Sequence, residues 1–246
     1  MLFRSQVVCI GSILIDELYS CHQQALPGTS NPASVVKSIG GVMCNIVRNL
    51  TLLDVNTSFI SIIGNDSDAE HIKTFFSDSG IKTDQIFNAD VPTGKYVSIL
   101  NKDGSLFSAV CADECSDFIS TDFLESQSAL LKDACLIIAD TNLSVLALEW
   151  IISFSFNNNI KLIIEPVSNK KALKLSSERL DGIYLISPNE EELKYLTDNY
   201  YTDELDMVNH LLDHGVKNVW VSKGANGSSF YNKEGRVDLS VPEIKI

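Results

Sequence analysis

The chain is poor in basic residues: 19 Lys and Arg stand against 32 Asp and Glu in 246 residues, a formal net charge of −13. A sequence-independent nucleic-acid surface needs Lys and Arg to displace condensed counterions, so that class of partner is excluded. Long apolar runs are also missing, and no stretch approaches the roughly 18 consecutive apolar residues of a membrane span. Residues 7–15, which follow Arg4, imitate a short secretory signal. They are interrupted by Gly11 and Ser12 and closed by Asp16, and no small-residue cleavage pattern follows. The expectation is a cytoplasmic protein with neither nucleic acid nor membrane as partner. Paired cysteine spacing is absent too. Among Cys9, Cys21, Cys44, Cys111, Cys115 and Cys135 only Cys111 and Cys115 could be read as a ligand pair, and no second pair completes it. A chain of this length needs no disulfide staples, so reduced thiols are expected. There is no internal repeat and no low-complexity segment.

What is present is a hydrophobic content of 45%, enough for one full core with a small appendage. Short β-branched runs at residues 7–10, 57–63, 136–139, 161–165, 182–186 and 218–222 read as buried strands, several without period-two alternation. Between them, residues 44–53, 67–78, 145–156, 170–175, 190–196 and 203–213 read as helices. This alternation predicts an α/β fold with a mainly parallel central sheet and helices on both faces. Residues 31–39 and 95–110 look instead like exposed strands, the second broken by Asn101-Lys102-Asp103-Gly104, whose Asp-Gly pair is a hairpin signal. The expected organisation is one domain over residues 1–246 with lid strands inserted at about 17–39 and 92–111.

Four stretches carry candidate chemistry. Gly40-Gly41-Val42-Met43-Cys44-Asn45 delivers the chain through two glycines into a helix start, where unpartnered N–H groups and the Asn45 amide could meet a ligand. Ile46, Leu50 and Leu53 recur at helical spacing and predict its buried face. Asp16, just beyond the first strand, is placed to accept hydrogen bonds from sugar hydroxyls, or else to cap a turn. In Ser187-Pro188-Asn189-Glu190-Glu191-Glu192, the acids suit a helix start, and Asn189 and Glu192 share one face of the first turn. From there an acid can hold Mg²⁺ through water. Ser222-Lys223-Gly224-Ala225-Asn226-Gly227 follows another strand and could cradle polyphosphate, although read alone it is a β-turn; it lacks the Gly-Lys-Ser/Thr order of a P-loop.

Taken in order, Gly11-x-x-x-x-Asp16, Gly40-Gly41-x-x-x-Asn45, a hairpin lid, Asn189-x-x-Glu192 and Ser222-x-Gly224-x-x-Gly227 resemble the ribokinase-like sugar kinases, the PfkB family, over essentially the whole chain. Within it the likeness is strongest to the pseudouridine kinase branch. It rests on Ser30-Asn31-Pro32, Gly40-Gly41-Val42, Asn45-Ile46-Val47-Arg48-Asn49-Leu50, Ala139-Asp140-Thr141-Asn142 and Pro166-Val167-Ser168. The resemblance implies a ribokinase-like fold that transfers the ATP γ-phosphoryl group to a ribose 5′-hydroxyl, with ATP and Mg²⁺, and in some members a monovalent cation, as cofactors. It places Asp16, Gly40, Gly41, Asn45 and Asn142 at the nucleoside, with Thr93, Tyr96 and Ser98 from or near the lid. Asn189 would serve phosphate and Glu192 Mg²⁺, while Ser222, Gly224 and Gly227 would line the ATP site. Glu165 stands where many members carry Asp. The lid edges offer a surface for pairing two copies.

The chain departs from the family where members continue past a strand equivalent to residues 241–246 into a Gly-Ala-Gly-Asp motif carrying the general base. No catalytic residue is therefore assigned. The expectation is a fold lacking its C-terminal part and little or no turnover by the chain as it stands. Met43 and Cys44 fill positions that are typically small and basic, and Ala69 replaces an expected glycine in Gly64-Asn65-Asp66-x-x-Ala69. Three readings follow: a nucleoside kinase of the pseudouridine type, a non-catalytic relative that binds a sugar or nucleoside, and a dinucleotide-binding oxidoreductase. The last is disfavoured because no Gly-x-Gly-x-x-Gly opens the first helix.

Overall fold

Residues 6–175 and 180–241 are described by the computed structural model. Their contacts fall into two units, one from Met1–Ile10 with Ser120–Ile246 and one from Gly11–Ile119. The first strand, β1 (Gln6–Ile10), belongs to the first unit. The chain then builds the second: β2 (Leu14–Cys21), β3 (Ala33–Gly40), α1 (Val42–Leu52), β4 (Thr57–Ile63), α2 (Ser67–Asp78), β5 (Ile86–Asn88), β6 (Lys95–Leu100) and β7 (Leu106–Ala112). It returns to the first unit with α3 (Thr121–Ser126), α4 (Ser128–Lys132), β8 (Ala134–Asp140), α5 (Val145–Asn158), β9 (Lys161–Glu165), α6 (Asn169–Ala172) and β10 (Leu185–Ile186). The described chain closes with α7 (Glu190–Leu196), α8 (Glu204–Asp213), β11 (Asn218–Ser222), β12 (Ser228–Asn232) and β13 (Gly235–Leu239).

In the first unit the strand order is β13-β12-β11-β10-β9-β8-β1. Strands β1, β8, β9, β10 and β11 run parallel, and β12 and β13 add an antiparallel edge. Val8, Cys9 and Ile10 of β1 and Ile137 and Ala139 of β8 are fully buried, as a parallel sheet covered on both faces requires. The covering helices supply Leu148 and Ile151 from α5, Leu193 and Leu196 from α7, and Val208 and Leu211 from α8. Because these strands are parallel, Asp140, Glu165, Ser187 and Ser222 all gather at their carboxyl ends, where open α/β sheets bind ligands.

The second unit holds the parallel pair β4–β5 and a separate four-stranded sheet ordered β3-β2-β6-β7. All seven residues of β4 are buried, and Phe59 packs on Phe76 of α2 with ring centroids 6.3 Å apart. In the four-stranded sheet β2 pairs antiparallel with β3 and parallel with β6, and β6 turns through the expected hairpin into β7. Its edge strands expose Val35, Val36, Leu106 and Val110.

Three expectations are corrected. Asp16 lies inside strand β2, not in a loop after the first strand, because residues 14–21 pair along their whole length with β3. Helix α1 begins at Val42, two residues early, and buries Met43, Cys44 and Val47, whereas Leu53 is 72% exposed. Ile46 and Leu50 border this stripe and are half-buried, while Leu53 is the C-cap just beyond the last helical residue. The strand expected over residues 182–186 shrinks to Leu185–Ile186, since Gly182 sits at φ 105° and the chain bends there. The expected strand at residues 241–246 falls, apart from Val241, outside the described residues.

The buried stripe gives a mutational test. Met43→Ala empties a fully buried site and should cost about 2–5 kcal/mol in urea unfolding. Leu53→Ala, at a position the periodicity assigned to the core, should stay within about 0.5 kcal/mol of wild type.

Candidate functional site

In the second unit the Gly40-Gly41 pair is shaped by Asp16. Gly40 is the Cα partner of Leu14, and a Cβ on Gly40 would overlap the Asp16 carboxylate. Gly41 sits at φ +98°, and a Cβ there would come within 2.7 Å of the Ser12 carbonyl oxygen. Close approach therefore demands glycine at both positions, and at Gly41 the backbone conformation demands it as well. Gly41 is also the N-cap of α1 and supplies no side-chain hydrogen bond, so the first-turn N–H groups are left without a cap. Asn45 sits one turn in, donates its backbone N–H to the Gly41 carbonyl at 3.0 Å and exposes its side chain.

The Asp16 carboxylate is half-buried and accepts no hydrogen bond among the described residues. Burial holds its pKa above the ordinary aspartate value. Register places Ser38, Asp16, Tyr96 and Cys111 in one row across the four strands, on a common face. Tyr96 and Cys111 are exposed, and Ser98, one pleat further along that face, is buried. The opposite face carries Glu17, which pairs with Lys37 at 2.6 Å and Lys95 at 3.7 Å. Cys44, buried beside this region, has its thiol pushed up to about 12 by desolvation and stays protonated.

Thr93, just before β6, also has structural partners. Its hydroxyl donates to Asp66 Oδ1 at 2.6 Å and accepts from the Gly64 N–H at 3.1 Å, and the residue is 2% exposed. Those bonds fix the loop before β6, and hydrogen bonding to Thr93 and Ala69 outweighs burial to lower the Asp66 pKa. Thr93 thus supports the sheet from inside.

In the first unit the carboxyl ends of the parallel strands bring several expected residues together. Asn189 caps α7, its Oδ1 accepting from the N–H groups of Glu191 and Glu192 at 2.9 Å each. Glu192 Oε2 in turn accepts from the Asn189 N–H at 2.9 Å, which completes a capping box. Ser222 meets this loop in an isolated parallel bridge, its N–H donating to the Pro188 carbonyl at 2.9 Å. Glu165 lies alongside and accepts from the Ser187 hydroxyl at 2.7 Å. Burial, reinforced by the like charge of Glu192, raises the Glu165 pKa. Two neighbouring, partly desolvated carboxylates with hydroxyl and amide groups beside them form an oxygen donor set of the kind Mg²⁺ takes, so these residues fit such an ion.

The glycine turn after β11 divides into two roles. Gly224 at φ +54° is exposed, and a Cβ there would meet nothing. A Cβ on Gly227 would strike the Leu239 carbonyl, so Gly227 serves the approach of β13. Lys223 is drawn to Glu204 at 2.7 Å, and Tyr231 donates to the same carboxylate oxygen.

Asn142 is held more tightly than its sequence context suggested. Lys171 donates to its Oδ1, while Lys174 donates to the carbonyls of Thr141 at 2.9 Å and Leu143 at 2.7 Å. The Thr141 hydroxyl donates to the Pro166 carbonyl, and Val167 is forced to φ +66°, a costly conformation for a β-branched residue. The bonds that Lys171 and Lys174 make to this loop were not legible in the sequence. Two lysines near a helix end read as a solvated face, and only the positive φ at Val167 marks the strain.

Comparison with known proteins bears on the family and the fold. The model of the pfkB family of carbohydrate kinases matches residues 4–246. The chain is 28% identical over 243 residues to the pseudouridine kinase of Escherichia coli K12, covering 97% of this chain and 77% of that protein. It is 26% identical over 235 residues to the ribokinase of Staphylococcus aureus, covering 93% of this chain and 76% of that one. Among solved structures, a carbohydrate kinase from Agrobacterium tumefaciens aligns with a TM-score of 0.82 at 25% identity, covering 94% of this chain and 74% of that one.

The two glycines separate by experiment. Gly41→Ala meets both a disallowed φ and a backbone oxygen and should lower stability by about 1–3 kcal/mol. Gly40→Ala meets only the movable carboxylate of Asp16, so its urea midpoint should stay nearer to wild type than that of Gly41→Ala. Equal midpoints would contradict this division.

Proposed function

Because the chain belongs to the pfkB family of carbohydrate kinases, we propose that it is built to bind a ribose-containing nucleoside, pseudouridine first, together with Mg²⁺ and ATP, for transfer of a phosphoryl group to the 5′-hydroxyl. The observation that carries the reading is the half-buried Asp16 carboxylate, unpartnered among the described residues and cleared of obstruction by Gly40. An ionised carboxylate held this way accepts strongly from vicinal hydroxyls. Asn45 would add an amide to the sugar, with Gly41 allowing close approach. Tyr96 and Ser98 share the Asp16 face of their sheet and would extend the contact.

On the nucleotide side, Asn189, Ser222, Gly224 and Gly227 are proposed to line the phosphates, and Glu192 to hold Mg²⁺ through water, with Glu165 beside it. Mg²⁺ and ATP, when bound, supply the phosphoryl group and neutralise its charge. The residues of the chain orient the acceptor and exclude water. Deprotonating the 5′-hydroxyl is assigned to none of the described carboxylates: Asp16 is given to the sugar, and Asp140 Oδ1 accepts the Asn142 N–H at 2.9 Å. We therefore propose that the 246 residues bind nucleoside with little or no turnover. The same sheet, through its exposed edge strands, is proposed to pair two copies.

Two measurements test this. Pseudouridine at 100 times its Kd should stabilise the fold by about 2.7 kcal/mol, and Asp16→Ala should abolish the shift. If free ribose acts at lower concentration than pseudouridine, the acceptor is a sugar. A coupled ADP-release assay with ATP, Mg²⁺ and pseudouridine should show no turnover, and turnover would show that a base is present. Asp16→Asn carries a separate signature. A raised carboxyl pKa means the folded state holds the proton more tightly than the unfolded one. Ionisation therefore weakens the fold as pH rises through the titration range of Asp16. Asp16→Asn should accordingly melt higher than wild type at neutral pH, and the gap should close on acidification.

A further inference from the structure

Helix α8 carries a feature that phosphoryl transfer does not use. His210 and His214 stand one turn apart, His214 being the C-cap, and their rings lie with centroids 4.1 Å apart. Each ring has one nitrogen already engaged. His214 Nδ1 lies 2.7 Å from the His210 carbonyl oxygen, which can only accept, so that nitrogen bears the proton and Nε2 keeps its lone pair. His210 Nδ1 lies 3.4 Å from the Tyr201 hydroxyl. Neither Nε2 has a hydrogen-bond partner among the described residues. A hydrogen bond at one imidazole nitrogen that orients the other is how metal-binding histidines are held, and spacing of i, i+4 is a standard way for a helix to present two of them.

We propose that His210 and His214 form a two-imidazole site on α8 for a borderline divalent transition-metal ion such as Zn²⁺ or Ni²⁺. Imidazole favours these ions over Mg²⁺ and Ca²⁺, which take oxygen. Among the described residues no group of three or more His, Cys, Asp or Glu could hold a metal ion, so solvent completes the coordination. His214 is exposed and His210 half-buried, so an ion reaches the pair from solvent. The site is independent of the nucleoside reading, since neither ring belongs to the residues assigned to sugar, phosphate or Mg²⁺.

The test is calorimetric titration of Ni²⁺ into the tag-free chain without ATP. One equivalent should bind, and His214→Ala and His210→Ala should each weaken it at least about tenfold, since removing a ligand costs no less than removing its outer-shell partner. His22→Ala and His71→Ala should leave binding unchanged. His214 is exposed, so its variant is expected to fold, and a melting curve checks this. Paramagnetic broadening by Ni²⁺ should reach the ring protons of His210 and His214 before those of the other two histidines. No binding, binding that survives both α8 substitutions, or broadening centred on His22 or His71 overturns the proposal.

Discussion

The contact on which the second unit turns is the close approach of the Asp16 carboxylate to the backbone at Gly40. A charged group half removed from water normally recovers its lost hydration through hydrogen bonds or an opposite charge. Asp16 has neither among the described residues, and burial raises its pKa accordingly. Any side chain at position 40 would displace it, and any side chain at position 41 would strike the Ser12 carbonyl. The helix that follows starts without a side-chain cap. Stability is thus conceded at three adjacent places, a pattern expected where a ligand supplies the missing partners.

The first unit is organised differently, because several polar groups at its strand ends already have structural tasks. Asn189 and Glu192 satisfy each other's helix start, and Ser222 ties the neighbouring loop to Pro188. Lys171 and Lys174 pin Asn142 and the carbonyls around it. A phosphate- or metal-binding role for these residues would add to their architectural one, using the second Glu192 oxygen and the Asn189 side-chain NH₂ group. Glu165 completes this picture: its raised pKa reflects burial next to a second carboxylate, an arrangement that a divalent cation would relieve.

Much of this was legible from residue patterns. Strands at 57–63, 161–165 and 218–222 emerge with the expected bounds because β-branched runs have one good solution in a covered parallel sheet. The capping box at Asn189 and Glu192 follows from spacing alone. Strand β2 was placed only loosely, within a lid region from about residue 17, because Glu17, Tyr19 and Ser20 dilute its apolar character and its pairing depends on β3 and β6, which are distant in sequence. In α1 the expectation failed at the ends, since periodicity does not say where a helix begins or stops, and Leu53 falls on the C-cap. Thr93 shows the limit most clearly: its buried bonds with Asp66 and Gly64 are tertiary and leave no local trace.

The central claim is that Asp16 waits for sugar hydroxyls. A crystal structure of the chain with pseudouridine tests it most directly. The account predicts ribose hydroxyls within hydrogen-bond distance of the Asp16 carboxylate, with Gly40 and Gly41 against the ligand. A nucleoside bound elsewhere, with the Asp16 carboxylate touching only water, would contradict it.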